Sequence, residues 1–129
     1  MTFIKFSQQG KRDSKFISLT ASKSFGFGGD FLRLNKLDDK NYVELYFDPD
    51  NKRIGFKFTA EKNDVNAFKL IKSNVSNSKS TVARSFFTTY LKDIDLTRFE
   101  PKYQPEIVND PEQGTLFAIE LKELTEMNK

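Results

Sequence analysis

The sequence predicts an α+β fold, mostly antiparallel β-sheet or barrel with two short helices, built from two strand-helix-hairpin pseudo-repeats. Three observations predict it. Short β-rich runs recur between turn-forming stretches, two segments carry apolar residues at helical spacing, and the order strand, helix, hairpin occurs twice, over about residues 16–59 and 80–122. The 129 residues suit a single domain, 1–129, because two domains of half that length would each lack a full core.

Phe3 to Phe6 and Phe16 to Thr20 read as strands of an N-terminal hairpin, separated by the polar stretch Gln8 to Asp13. Ser24 to Gly29 reads as a glycine-rich loop, after which Asp30 is expected to cap a helix with Phe31, Leu34 and Leu37 on one face. Tyr42 to Phe47 and Arg53 to Thr59 flank Asp48-Pro49-Asp50-Asn51, where proline presets one backbone angle and Asp and Asn side chains bond their own backbone. This is the clearest hairpin in the chain. Ala67 to Lys72 is expected to be one strand, and Val75 to Ser80 a connector.

Thr81 to Arg84 reads as a strand leading into a helix capped by Ser85, with Phe86, Phe87, Tyr90, Leu91 and Ile94 on its buried face. Pro101 and Pro105 confine the extended run Arg98 to Val108 to a sheet edge, since proline donates no ladder hydrogen bond. Asn109 to Gly114 is a turn and Leu116 to Leu121 a strand, followed by a polar tail, Lys122 to Lys129. An offset of 62 aligns Glu44, Leu45, Asp48 and Pro49 with Glu106, Ile107, Asp110 and Pro111. One extra residue in the second turn then matches Ile54, Phe56 and Phe58 with Phe117, Ile119 and Leu121.

Missing residue types narrow the chemistry. No histidine and no cysteine means no imidazole base, no Ser-His-Asp constellation, no thiol nucleophile, no thiolate metal site and no disulfide. The N-terminus has no uninterrupted apolar core, and no stretch approaches the roughly 18 apolar residues of a membrane span, so no export signal, no membrane partner and a cytoplasmic location are expected. Gly26 to Gly29 lacks the Gly-Lys-Ser/Thr of a phosphate loop, and Asp48 to Asn51 lacks the closing glutamate of a calcium loop. Asp93, Asp95, Glu100 and Glu106 are ordinary surface carboxylates in this reading, so no catalytic residue, cofactor or metal is expected.

The net charge of +3 hides an uneven distribution. Residues 1–36 hold seven basic residues against Asp13 and Asp30, a net +5, whereas residues 93–129 hold nine acidic against four basic, a net −5. Between Ser73 and Lys92 only Lys79, Arg84 and Lys92 are charged. Clustered lysine and arginine are what phosphate contacts need, so Lys5, Lys11, Arg12, Lys15, Lys23, Arg33 and Arg84 are the candidate nucleic-acid contacts. Phenylalanine supplies 14 of the 18 aromatic residues, and most must be core. Phe25 and Phe27, beside Lys23 and Arg33, are the candidates for stacking on bases.

Within the first unit, Phe27 to Arg33 as strand-to-helix stretch, Leu37 as helix end and Tyr42 to Phe58 as hairpin resemble the swapped-hairpin DNA-binding domain of AbrB-type transition-state regulators and related antitoxins. The resemblance covers about Ile17 to Thr59. Gly28 stands where that family has proline, and its Gly-Arg pair is absent. The resemblance implies a dimeric β-barrel whose basic loops grip DNA, with the second repeat here supplying the other half as a fused pseudo-dimer. The expected function is thus a non-enzymatic nucleic-acid-binding protein, a transcriptional or replication accessory factor with DNA or other nucleic acid as partner, acting as a monomeric pseudo-dimer or a homodimer. The alternative is a small phage- or plasmid-type protein-interaction module that inhibits or recruits a protein partner.

Overall fold

The computed structural model describes residues 15–62, 65–74 and 76–124. In chain order these form β1 (Ile17–Thr20), β2 (Ser24–Phe27), α1 (Gly29–Leu34), β3 (Tyr42–Asp48), β4 (Arg53–Thr59), β5 (Phe68–Lys69), β6 (Ile71–Lys72) and β7 (Lys79–Val82). Then follow α2 (Arg84–Tyr90), a 3-10 turn (Leu96–Arg98), β8 (Lys102–Tyr103), β9 (Glu106–Asp110) and β10 (Gly114–Glu120). All pairings are antiparallel, in two open five-stranded sheets ordered β6-β7-β2-β1-β8 and β5-β3-β4-β10-β9.

Strand alternation puts Ile17, Leu19, Phe25 and Phe27 on one face of the first sheet and Val43, Ile54, Phe56 and Phe58 on one face of the second, all of them buried. The two faces meet through aromatic rings. Phe25 contacts Phe56, and Phe27 contacts Phe58, each edge-on with centroids 5.0 Å apart. The helices close the sandwich: Phe31 of α1 packs on Phe117 at 5.1 Å, and Phe87 of α2 stacks on Phe25 at 5.1 Å.

The hairpin over residues 42–59 has the expected register, from Tyr42 opposite Thr59 to Asp48 opposite Arg53. Its turn closes through Asp48, whose Oδ1 accepts from the backbone N–H of Asp50 at 3.1 Å and Asn51 at 3.3 Å. Asp110 does the same in the β9-β10 turn, accepting from Glu112 at 2.8 Å and Gln113 at 2.9 Å. Counting inward from the closing pairs, the first loop is Pro49–Lys52 and the second Pro111–Gln113. The second turn is therefore shorter by one residue, not longer, and the expected match of Ile54, Phe56 and Phe58 with Phe117, Ile119 and Leu121 shifts by two. Anchored on the two aspartates, those three residues correspond to Thr115, Phe117 and Ile119.

Other expectations are corrected. Ser24 to Phe27 is a strand, not a loop, and it supplies the hairpin partner of β1; Phe3 to Phe6 lie outside the described residues. Neither Asp30 nor Ser85 occupies an N-cap position. The N-caps are Gly28 and Ala83, because the chain turns helical directly after each strand and places both polar residues inside the first turn. Helix α1 stops before Leu37 in a Schellman arrangement: Leu37 N–H donates to the Leu32 carbonyl at 2.7 Å and Lys36, at φ 58°, donates to that of Arg33 at 3.1 Å.

Ala67 to Lys72 is not one strand. Leu70 is buried where the chain crosses between sheets, so β5 pairs with β3 and β6 with β7. The second-unit strand spans Lys79–Val82, two residues earlier than expected, and it takes the end of the expected connector. Tyr90 is exposed rather than buried, since α2 ends there and its ring lies over the rim of the core. The C-terminal tail pairs as far as Leu124, whose N–H donates to the Arg98 carbonyl at 2.8 Å; residues 125–129 lie outside the described residues.

Candidate nucleic-acid interface

The β1-β2 turn is closed by hydroxyls and by a left-handed lysine. Thr20 and Ser24 hydroxyls are 2.6 Å apart, and Lys23 adopts φ 65°. The carbonyl of Lys23 accepts from the N–H of Ala83 at 3.0 Å, which ties this turn to the start of α2. Lys23 and Arg84, 61 positions apart in the chain, thereby come together at one end of β2, both exposed.

Arg33 sits at the other end of β2, on α1, where it pairs with Asp30 at 2.8 Å on the same helix face. A cleft of about 470 Å³ opens beside it, bordered by Lys72 of β6 and Lys79 of β7. Lys79 Nζ donates to the carbonyls of Asp38 and Lys40, each at 2.7 Å. Lys15 is exposed just before β1, on the Phe27 side of the sheet. Lys5, Lys11 and Arg12 lie outside the described residues.

Phe25 and Phe27 are corrected as stacking residues. They are 0% and 1% exposed, with their rings between the sheets, so neither presents a face to a base. Their alternation with Gly26 is a strand signature: two large residues on the core side and a small one outside.

Charge divides between the sheets. The strands of the first sheet carry Lys72, Lys79 and Lys102 and no acidic residue. Those of the second carry Glu44, Asp48, Glu106, Asp110 and Glu120 against Arg53, Lys57 and Lys69, a net −2. Lys102, which by sequence belongs to the acidic tail, lies opposite Ser18 on the outer face of the basic sheet. Toward the middle that face is small and polar, with Ser18, Gly26 and Ser80 in one cross-strand row and Thr20 and Ser24 in another, and at the β6-β7 edge the rows end on the exposed apolar side chains of Ile71 and Val82. No local signal marks Lys102 for this role, because its partner strand lies more than eighty residues earlier.

Of the perturbed carboxylates, Asp48 and Asp110 lie in the turns of the second sheet, and Asp95 caps the 3-10 turn that packs against β1 of the first. Asn51 and Arg53 side chains lower the pKa of Asp48, and backbone N–H groups of Gln113 and Glu112 lower that of Asp110. Asp95 is lowered by the Thr97 hydroxyl and backbone N–H. Burial pushes the Tyr103 phenol up, and its OH bonds the backbone of Lys122, donating to the carbonyl at 3.2 Å and accepting from the N–H at 3.1 Å. Among the described residues no group of three acidic side chains is placed to hold a metal ion, and no helix is long and apolar enough to cross a membrane. Comparison with protein-family models, with curated proteins and with solved structures finds no match to this chain.

Proposed function

We propose that this chain is a non-enzymatic nucleic-acid-binding protein, a transcriptional or replication accessory factor, that receives the phosphate backbone on its first sheet. The observation that carries this reading is the division of charge: the first sheet has no acidic residue in any described strand, and Lys23, Arg84 and Lys102 stand around a face whose β1-β2 part carries only small side chains, with Ile71 and Val82 exposed at its β6-β7 edge. Sequence-independent phosphate contact needs no more than such a surface.

In this reading the chain is a fused pseudo-dimer, with an AbrB-type half over about residues 17–59. Its support lies in the sheet orders. Each sheet has one strand from each unit at its centre, β2 with β7 and β4 with β10, and in each case the pair is antiparallel, as a two-fold axis requires. The matching Asp48 and Asp110 turns lie at the outer ends of that arrangement. The charge does not follow the symmetry, so the bound backbone lies to one side.

The test is fluorescence anisotropy with labelled duplex and single-stranded oligonucleotides over a range of salt. About three phosphate contacts give a slope of about −3 in log affinity against log salt for duplex DNA. Lys23→Glu with Arg84→Glu should weaken binding strongly, and Lys52→Glu with Lys57→Glu, on the second sheet and its turn, should weaken it little. Equal losses would reduce the effect to net charge. No binding of either strand form at low salt would overturn the reading in favour of a protein-interaction module.

A further inference from the structure

The cleft beside α1 has a feature that its fold does not explain. Lys72 and Lys79 are directly opposite each other in the β6-β7 ladder, and like charges in that position destabilise a sheet. Lys79 is held there by two backbone carbonyls, at 2.7 Å each, and among the described residues no carboxylate lies within ion-pair distance of it. Two of its three protons are used and its charge is unmatched. Arg33 faces the same cleft with 62% of its side chain exposed; its one ion pair, to Asp30, leaves further guanidinium donors.

The opposite wall is closely packed. A side chain at Gly29 would bring its Cβ within 3.1 Å of Asn77 Cβ and 3.4 Å of the Asn77 backbone, so glycine lets the loop before β7 close against α1. Asn41 and Asn77 add amide groups to the lining. Asp38 also borders the cleft and opposes an anion, and Asp30 pairs with Arg33, but three cations against these two carboxylates leave a net positive charge. Its volume, about 470 Å³, falls in the range of small-ligand sites and exceeds what a bare inorganic anion needs.

We infer that this cleft, with Arg33, Lys72 and Lys79 as its cations, binds a phosphate group carried on a sugar. The carrier is either a nucleotide of the strand proposed above or a free nucleotide. The first case rests on the nucleic-acid reading and the second does not. An anion between Lys72 and Lys79 would relieve their repulsion, so occupancy should stabilise the fold.

The experiment uses the whole chain. Thermal unfolding is followed in sodium chloride, inorganic phosphate and a nucleoside 5′-monophosphate at matched ionic strength, and amide chemical shifts are mapped on the unsubstituted protein. Phosphate and nucleotide should raise Tm saturably beyond chloride and move the amides of Lys72, Asn77 and Lys79. Arg33→Gln with Lys72→Gln, both exposed, should remove that effect; where the strand also enters the cleft, these two contacts add to the three around the outer face, and the variant brings a DNA salt slope of about −5 back to about −3. Lys23→Glu with Arg84→Glu should leave the phosphate effect in place. No saturable effect beyond chloride, or one unchanged in the Arg33-Lys72 variant, overturns the cleft even if DNA binds. A phosphate effect in a chain that binds no oligonucleotide assigns the cleft to a free nucleotide and removes the nucleic-acid reading.

Discussion

Phe56 lies directly opposite Phe117 in the ladder that joins the two hairpins, and the two rings face the same core. They are not equivalent in burial. Phe56 is fully enclosed between Phe25 and Phe27, whereas Phe117 is half-buried and contacts Phe31 and Phe58 from the rim. Phe56→Ala should therefore cost about 3 to 5 kcal/mol, since the surrounding rings cannot collapse into the space, and Phe117→Ala should cost less. Urea denaturation of both variants checks the order; equal midpoints would show that the half-buried ring carries as much as the enclosed one.

One face of β4 is set by close packing. Gly55 points away from the core, and a Cβ there would meet Leu116 Cδ1 at 3.2 Å and Tyr46 Cβ at 3.5 Å. Leu116 lies across this glycine and is buried although it belongs to the outer face. Gly55→Ala can be absorbed by a shift of the flexible leucine end, but Gly55→Val adds branches that cannot, with an expected loss of about 1 to 3 kcal/mol. Adding Leu116→Ala to Gly55→Val should recover part of that loss. Strict additivity in the double-mutant cycle would mean the two do not compete for this space.

The helix face of α2 is graded from inside to outside. Phe86 is 5% exposed and touches Phe25, Phe47 and Phe87, so Phe86→Ala should cost about 3 to 5 kcal/mol. Tyr90 is 54% exposed but lies 5.1 Å from Phe47 and 5.3 Å from Phe86. Its truncation removes rim contacts worth about 1 kcal/mol and leaves no enclosed cavity. Thermal denaturation that ranks Tyr90→Ala level with Phe86→Ala would place the edge of the core beyond Tyr90.

These residues mark where the sequence was legible. The hairpin over residues 42–59 was, because Asp48 and Pro49 dictate their turn locally and the flanking runs alternate. The strand at Ser24 to Phe27 is hidden by its glycine, which reads as a loop, although Phe25 and Phe27 two apart carry the strand period. The ends of both helices depended on where the preceding strand stopped, which its partners in the sheet decide. Leu70 divides its segment between two sheets for reasons that lie in the distant strands β3 and β7. At the candidate site, Lys23, Arg33 and Arg84 followed singly from charge counting, and the approach of Lys23 to Arg84 comes from the Ala83–Lys23 backbone bond. Lys72, Lys79 and Lys102 did not, since they lie on three separate strands, the first two in register with Phe27 and the third on the outer face, and no contiguous pattern in the chain marks them.

The acid limit of the fold should be set in part by Asp48. Its carboxylate accepts from Asn51 Nδ2 at 3.0 Å and from the Arg53 guanidinium at 2.9 and 3.2 Å, in addition to the turn backbone. The Asn51 and Arg53 side chains favour the ionised form and hold the pKa at about 2, below the ordinary 3.8. A folded-state pKa below the unfolded one means that the unfolded chain binds the proton first as pH falls. The contribution of Asp48 is thus complete above 3.8 and is lost as pH drops to about 2. Asp48→Asn should be less stable than the parent at neutral pH, and the gap should close over that same interval. Asp110→Asn should show a smaller gap, because its carboxylate has turn N–H partners but no arginine pair like Arg53. Added salt should narrow the Asp48 gap at neutral pH, as the Arg53 pair is partly exposed. Urea midpoints for the three proteins from pH 7 to about 2 decide it; an Asp48→Asn gap that stays constant throughout would assign the loss to turn geometry and not to charge.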